Sequence, residues 1–127
     1  MKHVHQREMG SKMRYVMFVV GDPDHTEEDA AAAPDLEEWF ASVRPSGKYL
    51  QGVRLQEVED ATTIRVRGGE LLITDGPFTE SKEWIAGFAI LDCADLDEAI
   101  EIAARNPMAY EGRLELRPIH SMGGPDD

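Results

Sequence analysis

Several features that would mark particular classes of protein are missing from this chain of 127 residues. It has a single cysteine, Cys93, so no disulfide can form within the chain, as is typical of a reducing compartment. No apolar run approaches the roughly 20 residues that a helix needs to span a bilayer. The first residues also lack the apolar core of a signal peptide. These absences predict a cytoplasmic protein with no membrane partner.

Basic residues are scarce: the chain has 13 Lys and Arg against 25 Asp and Glu, for a net charge of -12. A protein this acidic repels nucleic acids and anionic membranes unless its basic residues cluster. The candidates for such a cluster are spread over separate predicted strands and alternate with acids: Arg65, Arg67, Arg113 and Arg117. We therefore expect no nucleic-acid partner.

Sequence motifs for cofactors, metals and nucleophiles are also lacking. There is no phosphate-binding loop, no dinucleotide fingerprint and no Ser-His-Asp order. His3 and His5 could chelate copper or nickel near the amino terminus, but we interpret them as incidental residues of a tail. Cys93 is expected to lack a nearby His or Lys that would lower its pKa, which favours a structural role. We expect neither a metal site nor a cofactor.

Apolar residues at alternating or continuous spacing predict six strands. The predicted strands are residues 13–20, 48–56, 62–67, 70–74, 84–91 and 113–119. Gly68-Gly69 predicts a two-residue hairpin turn between the third and fourth strands. Gly52, inside the second strand, indicates a bulge or a close backbone approach.

Two helices are predicted by their starts and stops. Asp35 and Asp95 are each followed three residues later by Glu, as in a capping box. A helical turn could open at residues 26–29, but Pro34 interrupts it. Pro45 ends the first helix, and Asn106-Pro107 ends the second.

This order of elements predicts an α+β fold. Without the hairpin it is the split βαβ arrangement of ferredoxin-like folds, an antiparallel sheet with helices on one face. The strands at 13–20 and 84–91 are apolar on both sides, so the other face of the sheet also needs a cover. A second copy of the chain is the cover we expect, hence a homodimer. We predict a single domain at 13–120, with flexible tails at 1–12 and 121–127.

The loop after the fourth strand carries the candidate site. Three carboxylates lie within nine residues there, and we predict that they are catalytic: Asp75, Glu80 and Glu83. Crowded carboxylates raise one another's pKa, which suits an acid or a base. The predicted residues for binding a small-molecule ligand, with Lys82 holding an anion, are Thr79, Lys82 and Trp84.

A purely structural interpretation of the same loop stays open. Asp75 can hydrogen-bond backbone amides, as in an Asx-turn, and Gly76 can adopt a positive φ. Pro77 fixes its own φ, and Phe78 can anchor the loop on the core.

The stretch TDGPFTESKEWIAGFAIL resembles the signature of the YCII-related family, in its DGPF-motif branch. The resemblance extends from about Met13 to Ile119. It includes Met13-Arg14-Tyr15 at the first strand, the start of the second helix at Asp95 and the closing Glu115-Leu116-Arg117-Pro118.

The resemblance implies a ferredoxin-like domain that dimerises into an α/β barrel. It implies an enzymatic role that is proposed for the family, without a settled reaction. It also implies an alternative, a regulatory or interaction module associated with extracytoplasmic-function sigma factors. Some relatives carry a His on the first helix and an Asp before a Pro after the second, a proposed catalytic pair. The corresponding positions here are Leu36 and Asn106, so the pair is not carried over.

Overall fold

The computed structural model describes residues 13–76 and 84–120. The two predicted tails and residues 77–83 lie outside that part of the chain. The elements, in chain order, are strand β1 (Met13–Gly21), helices α1 (Glu27–Ala32) and α2 (Leu36–Val43), strands β2 (Tyr49–Arg54), β3 (Thr62–Arg67), β4 (Glu70–Asp75) and β5 (Trp84–Cys93), helices α3 (Leu96–Ala104) and α4 (Met108–Glu111), and strand β6 (Gly112–Pro118). All six predicted strands are present within a few residues of their predicted bounds.

Four strands form one antiparallel sheet in the order β2-β5-β1-β6. The two central strands are β1 and β5, the ones whose apolar residues run almost without interruption. β5 lies between β1 and β2, and β1 lies between β5 and β6. This is the split βαβ order, and it confirms the predicted ferredoxin-like α+β fold.

The core lies between this sheet and the helices. Side chains from alternate positions of the central strands pack against α2 and α3, and the cluster consists of Tyr15, Met17, Trp39, Val43, Ala89, Leu91, Cys93, Ala99 and Ala103. The indole Nε1 of Trp39 donates a hydrogen bond to the carbonyl oxygen of Ile102 at 2.9 Å, which ties α2 to α3. Leu114 and Leu116 of β6 pack against this cluster, as their alternation predicts.

The helix starts differ from those predicted. Thr26 and Asp29 form a complete capping box on α1, and this short helix ends before Pro34 can interrupt it. The Asp35 side chain makes no capping hydrogen bond, so the box predicted at α2 is wrong. At α3 the Asp95 side chain accepts from the Glu98 amide as predicted. The Glu98 carboxylate accepts from the amide of Ala94 rather than that of Asp95.

A short helix, α4, follows α3 after only a few residues. Asn106-Pro107 ends that helix as predicted, but Pro107 then serves as the N-cap of α4, which the sequence did not predict. The Asn106 side chain is buried, and its Oδ1 accepts from the amide of Met108 at 2.8 Å. The Asn106 carboxamide therefore stabilises the start of α4.

β3 and β4 form a separate two-stranded sheet. Gly68 and Gly69 have φ values of 58° and 78°, which only glycine adopts easily and which a tight hairpin turn requires. The prediction of a hairpin with this turn is confirmed. Within the described residues, no strand of the main sheet pairs with the hairpin.

Candidate functional site

Asp75 is the last residue of β4, and its side chain is exposed. It lies opposite Thr62 in the register of the hairpin. The next residue, Gly76, has a φ of 94°, as the turn prediction requires. Asp75 therefore occupies the point where a regular strand gives way to the predicted loop.

Two hydrogen bonds fix the backbone at this point. The amide of Gly76 donates to the carbonyl oxygen of Ala61 at 2.6 Å. The hydroxyl of Thr63 donates to the carbonyl oxygen of Gly76 at 2.8 Å. These bonds close the base of the hairpin, so Asp75 is held by regular structure on both strands.

The remaining loop residues predicted for the site are outside the described part of the chain: Thr79, Glu80, Lys82 and Glu83. The clustering of their charges with Asp75 stays a prediction. Trp84 follows the loop as the first residue of β5 and is 41% exposed. The structure therefore describes one predicted site residue at each end of the loop.

The position of Trp84 depends on a small neighbour across the sheet. Gly21 of β1 lies between Trp84 of β5 and Gly112 of β6 in the strand register. A Cβ added at Gly21 would lie 2.6 Å from Cε2 of the indole. The ring thus lies directly on the Gly21 backbone, and a side chain at Gly21 would displace it.

A groove of about 470 Å³ between α2 and α3 was not predicted. Trp39 and Val43 contribute apolar wall, and Lys48 and Glu98 lie at the groove as an ion pair of 2.7 Å. The hydrogen bond from Lys48 to Glu98 raises the pKa of the Lys48 ammonium above its ordinary value. The sequence signal was weak, because the two residues are 50 positions apart and only the register of β2 against β5 brings them together.

The positions that correspond to the pair carried by some relatives lie near the starts of α2 and α4. Leu36 and Pro107 line one shallow depression between these two helix starts. Asn106, the residue before Pro107, faces its own helix start through the Met108 amide. Neither Leu36 nor Asn106 offers a base or an acid.

Cys93 is fully buried at the end of β5. Burial, and then the charge of Glu98, raise the pKa of its thiol to about 11. Lys48 does lie near enough to oppose this rise, so the expectation that no lysine is nearby is wrong. The predicted structural role agrees with the raised pKa, because a reactive cysteine needs a lowered one.

Residues 13–76 and 84–120 lack two further kinds of site. No group of three His, Cys, Asp or Glu side chains there could hold a metal ion. No helix in this part of the chain is long and apolar enough to cross a membrane.

The fold defines a ferredoxin-like α+β domain with an inserted hairpin, and the sequence comparisons assign it to a family. Residues 13–123 match the YCII-related domain family. An uncharacterised protein of Rhizobium meliloti (strain 1021) is 38% identical over 114 residues, which cover 84% of this chain and 92% of the relative. The chain belongs to the YCII-related family.

Proposed function

We propose that this YCII-related protein binds a small molecule beside the loop that follows Asp75. The observation that supports this proposal is the placement of Asp75. Its carboxylate is exposed at the end of a regular strand, and the Gly76–Ala61 and Thr63–Gly76 hydrogen bonds fix the backbone on either side. A catalytic or binding group held by regular structure is better positioned than one in the middle of a loop.

The chemistry that suits these residues is general acid–base catalysis. Asp75 is the base or acid in this proposal, with Glu80 or Glu83 assisting. Lys82 and Thr79 hold an anionic or polar group of the ligand, and Trp84 offers an indole face and an N–H at the other end of the loop. Small carboxylates, ketones and lactones are the compounds that fit this set of groups. No cofactor is part of the proposal.

The protein acts, in this proposal, as a cytoplasmic homodimer whose domain spans residues 13–120. Its single thiol is buried and unpaired, which suits a reducing compartment. Among the described residues, the helices cover one face of the four-stranded sheet, and in this proposal a dimeric α/β barrel covers the other.

The test is a thermal-shift screen, followed by crystal soaks, against small carboxylates, ketones and lactones. A ligand at about 100 times its Kd adds about 2.7 kcal/mol to the free energy of unfolding, which raises the melting temperature by several degrees. Asp75→Asn should abolish the shift, because it removes the charge and keeps the shape. Glu70→Gln, at the other end of the same strand, is the matched control and should leave the shift unchanged.

The proposal fails if no compound stabilises the wild type or appears beside Asp75 in the crystals. It also fails if Asp75→Asn binds a hit as tightly as Glu70→Gln does.

A second candidate is a non-catalytic regulatory or interaction module, with a sigma factor as its partner. It is favoured by the positions of the family's pair, where Leu36 and Asn106 offer no acid–base chemistry. In this case the Asp75 loop only braces the fold, and Asp75→Ala should cost ~1–3 kcal/mol of stability by leaving backbone donors unpaired. A catalytic Asp75 predicts lost activity with little change in stability. Specific capture of a sigma factor by the wild-type protein would support the module.

A further inference from the structure

The groove between α2 and α3 has walls that are joined at two points. The indole of Trp39, in the first half of α2, bonds to the carbonyl oxygen of Ile102, near the end of α3. Lys48, which follows α2, pairs with Glu98 in the first turn of α3 at 2.7 Å. The two helices therefore run antiparallel along the groove, and these links hold its walls in place without a ligand. Its volume of about 470 Å³ lies within the roughly 300–1,000 Å³ of known small-molecule sites.

The charged side chains that line the groove are not balanced. Four are acidic and two are basic: Asp35, Glu38, Glu98, Glu101, Lys48 and Arg105. Both bases are paired with carboxylates of α3, because Lys48 contacts Glu98 and Arg105 contacts Glu101 at 3.1 Å. The excess of two negative charges therefore belongs to the α2 wall.

The two carboxylates of the α2 wall, Asp35 and Glu38, lie three residues apart and so on one face of the helix. In the part of the chain that the structure describes, neither side chain makes a hydrogen bond or an ion pair. The positive end of the α2 dipole, equivalent to about half a charge, does not offset two carboxylates. A cation that binds between them displaces no existing partner.

An aromatic ring lies at the same end of the groove. Tyr110 of α4 lines the groove and is 37% exposed. α4 lies beside the start of α2, since Leu36 and Met108 line one depression. The face of a phenol ring attracts an organic cation. This end of the groove thus offers two carboxylates and a ring, which is a combination that recognises an ammonium group.

The middle of the groove has an apolar wall formed by Trp39, Val43 and Ile102. Between Asp35 and Val43 the chain rises about 12 Å along α2. A compact inorganic cation cannot cover this stretch, whereas a methylene chain can bury its surface there. The ligand that matches the groove is therefore both cationic and elongated.

A second ammonium group has an acceptor on the opposite wall. The Arg105–Glu101 pair is exposed on both sides, with side-chain exposures of 64% and 72%. Exposed ion pairs contribute little to stability, so an ammonium group can replace Arg105 at Glu101 at little cost.

We propose that the groove between α2 and α3 binds a linear polyamine, which is a methylene chain that carries two or more ammonium groups. One ammonium group lies between Asp35 and Glu38, against the ring of Tyr110. The methylene chain lies along Trp39 and Val43, and the next ammonium group reaches the α3 wall. The site shares no residue with the loop of the proposed function and goes beyond that function.

The proposal is tested by isothermal titration of the full chain with spermidine at about 150 mM sodium chloride. This salt screens the general attraction of a chain with a net charge of -12 for any cation. We expect saturable binding with one spermidine per chain. Magnesium chloride supplies a divalent cation without methylene groups and should bind at least tenfold more weakly.

The groove is identified by the double substitution Asp35→Asn and Glu38→Gln, which removes two charges and keeps the side-chain shapes. The Kd for spermidine should rise at least tenfold. The matched control, Glu27→Gln with Glu28→Gln, removes two exposed charges of α1 that do not line the groove. It should change the Kd by no more than about twofold.

A second variant adds a cation to the groove and removes no acid. Ser42 lines the α2 wall four residues after Glu38, so Ser42→Lys places a tethered ammonium group beside that carboxylate. We expect at least a tenfold larger Kd for spermidine with no fall in melting temperature. This variant decides the question if the double variant does not fold, which circular dichroism shows.

Three results overturn the polyamine site. The first is a wild type that shows no saturable binding of spermidine at millimolar concentrations. The second is an equal loss of affinity in the groove variant and the α1 control, which indicates diffuse attraction to an acidic chain. The third is magnesium binding as tight as that of spermidine. A screen of carboxylates, ketones and lactones that finds no ligand refutes the proposed function and leaves this site intact.

Discussion

Single residues of this protein are determined by neighbours that are distant in sequence. Cys93 was expected to be structural because its sequence neighbourhood holds no cation. The structural role of Cys93 agrees with the structure, but a cation does lie nearby. Lys48 is close to Cys93 because its carbonyl oxygen accepts a hydrogen bond from the amide of Asp92, the residue before Cys93, at 2.8 Å. The Glu98 carboxylate forms an ion pair with Lys48. Burial has the largest effect on the Cys93 thiol, and the pKa of this thiol therefore rises to about 11.

The raised pKa of Cys93 predicts a dependence of stability on alkaline pH. The unfolded thiol ionises near its ordinary pKa of 9.0, whereas the folded thiol stays neutral up to about 11. The unfolded state therefore loses its proton first, and the free energy of unfolding falls as pH rises between these values. Urea denaturation across this pH interval should show a smaller fall for Cys93→Ala than for the wild type.

The comparison of slopes isolates the thiol, because the other ionisable groups are the same in both proteins. Equal slopes for the two proteins would mean that the buried thiol is not perturbed.

Gly52 shows what a single residue can reveal before a structure exists. A glycine inside a strand predicted a bulge or a close backbone approach, and the structure shows a shift of strand register beside Gly52 and a close approach by a side chain. The register of β2 against β5 shifts between Tyr49 and Gln51, and a Cβ at Gly52 would collide with the Tyr49 hydroxyl. The prediction could not name Tyr49, because only the bulge places that hydroxyl over the glycine.

The strands and helices of this protein were predictable to different degrees. Strands follow from alternation and turn residues, and the Gly68-Gly69 hairpin was located correctly from sequence alone. Helix starts depend on whether one side chain adopts the rotamer that reaches an amide. Asp35 and Thr26 both have the residue type for a cap, and only Thr26 makes the hydrogen bond.

This difference predicts unequal costs of removing the two caps. Thr26→Ala removes an acceptor from the Asp29 amide at 3.0 Å and should cost about 1 kcal/mol. Asp35→Ala removes no capping hydrogen bond and should cost less than half as much. Urea denaturation of the two variants checks the order.

A reversed order would mean that Asp35 caps α2 in solution. A negligible cost for both would mean that α1 frays before the domain unfolds, and hydrogen exchange of the α1 amides distinguishes that case.

At the scale of the whole molecule, the main sheet, its helix-covered face and the position of the candidate loop after β4 were predictable from sequence. The exposure of the apolar face of the β3–β4 hairpin was not predictable, because alternation separates the two faces of a strand without indicating which one faces the solvent. Alternation along residues 62–67 puts Ile64 and Val66 on one face, and only the folded chain shows that both side chains are largely exposed. The same limit applies to Asp75, whose position on that face of the hairpin depends on the register with Thr62.

The net charge of -12 bears on any association between two copies. Like-charged chains repel one another over a distance that shrinks as salt is added, with a Debye length of about 10 Å at 0.1 M. The helix-free face of the main sheet, which the proposed homodimer covers, is mainly apolar. Salt therefore screens the repulsion between the two chains and leaves the apolar attraction between them nearly unchanged. We expect the dimer Kd to fall several-fold between about 20 mM and about 300 mM sodium chloride, as measured by sedimentation velocity.

A variant with less negative charge on α1 is the control for this salt effect. Glu27→Lys with Glu28→Lys changes two exposed residues of α1, and it should give a tighter dimer at low salt with a weaker dependence on salt. A dimer that weakens as salt is added would contradict the apolar interface and would indicate ion pairs between the chains instead. Because an apolar interface between like-charged chains tightens with salt and an ion-paired one weakens, the direction of the salt effect decides which kind of contact holds the two copies together.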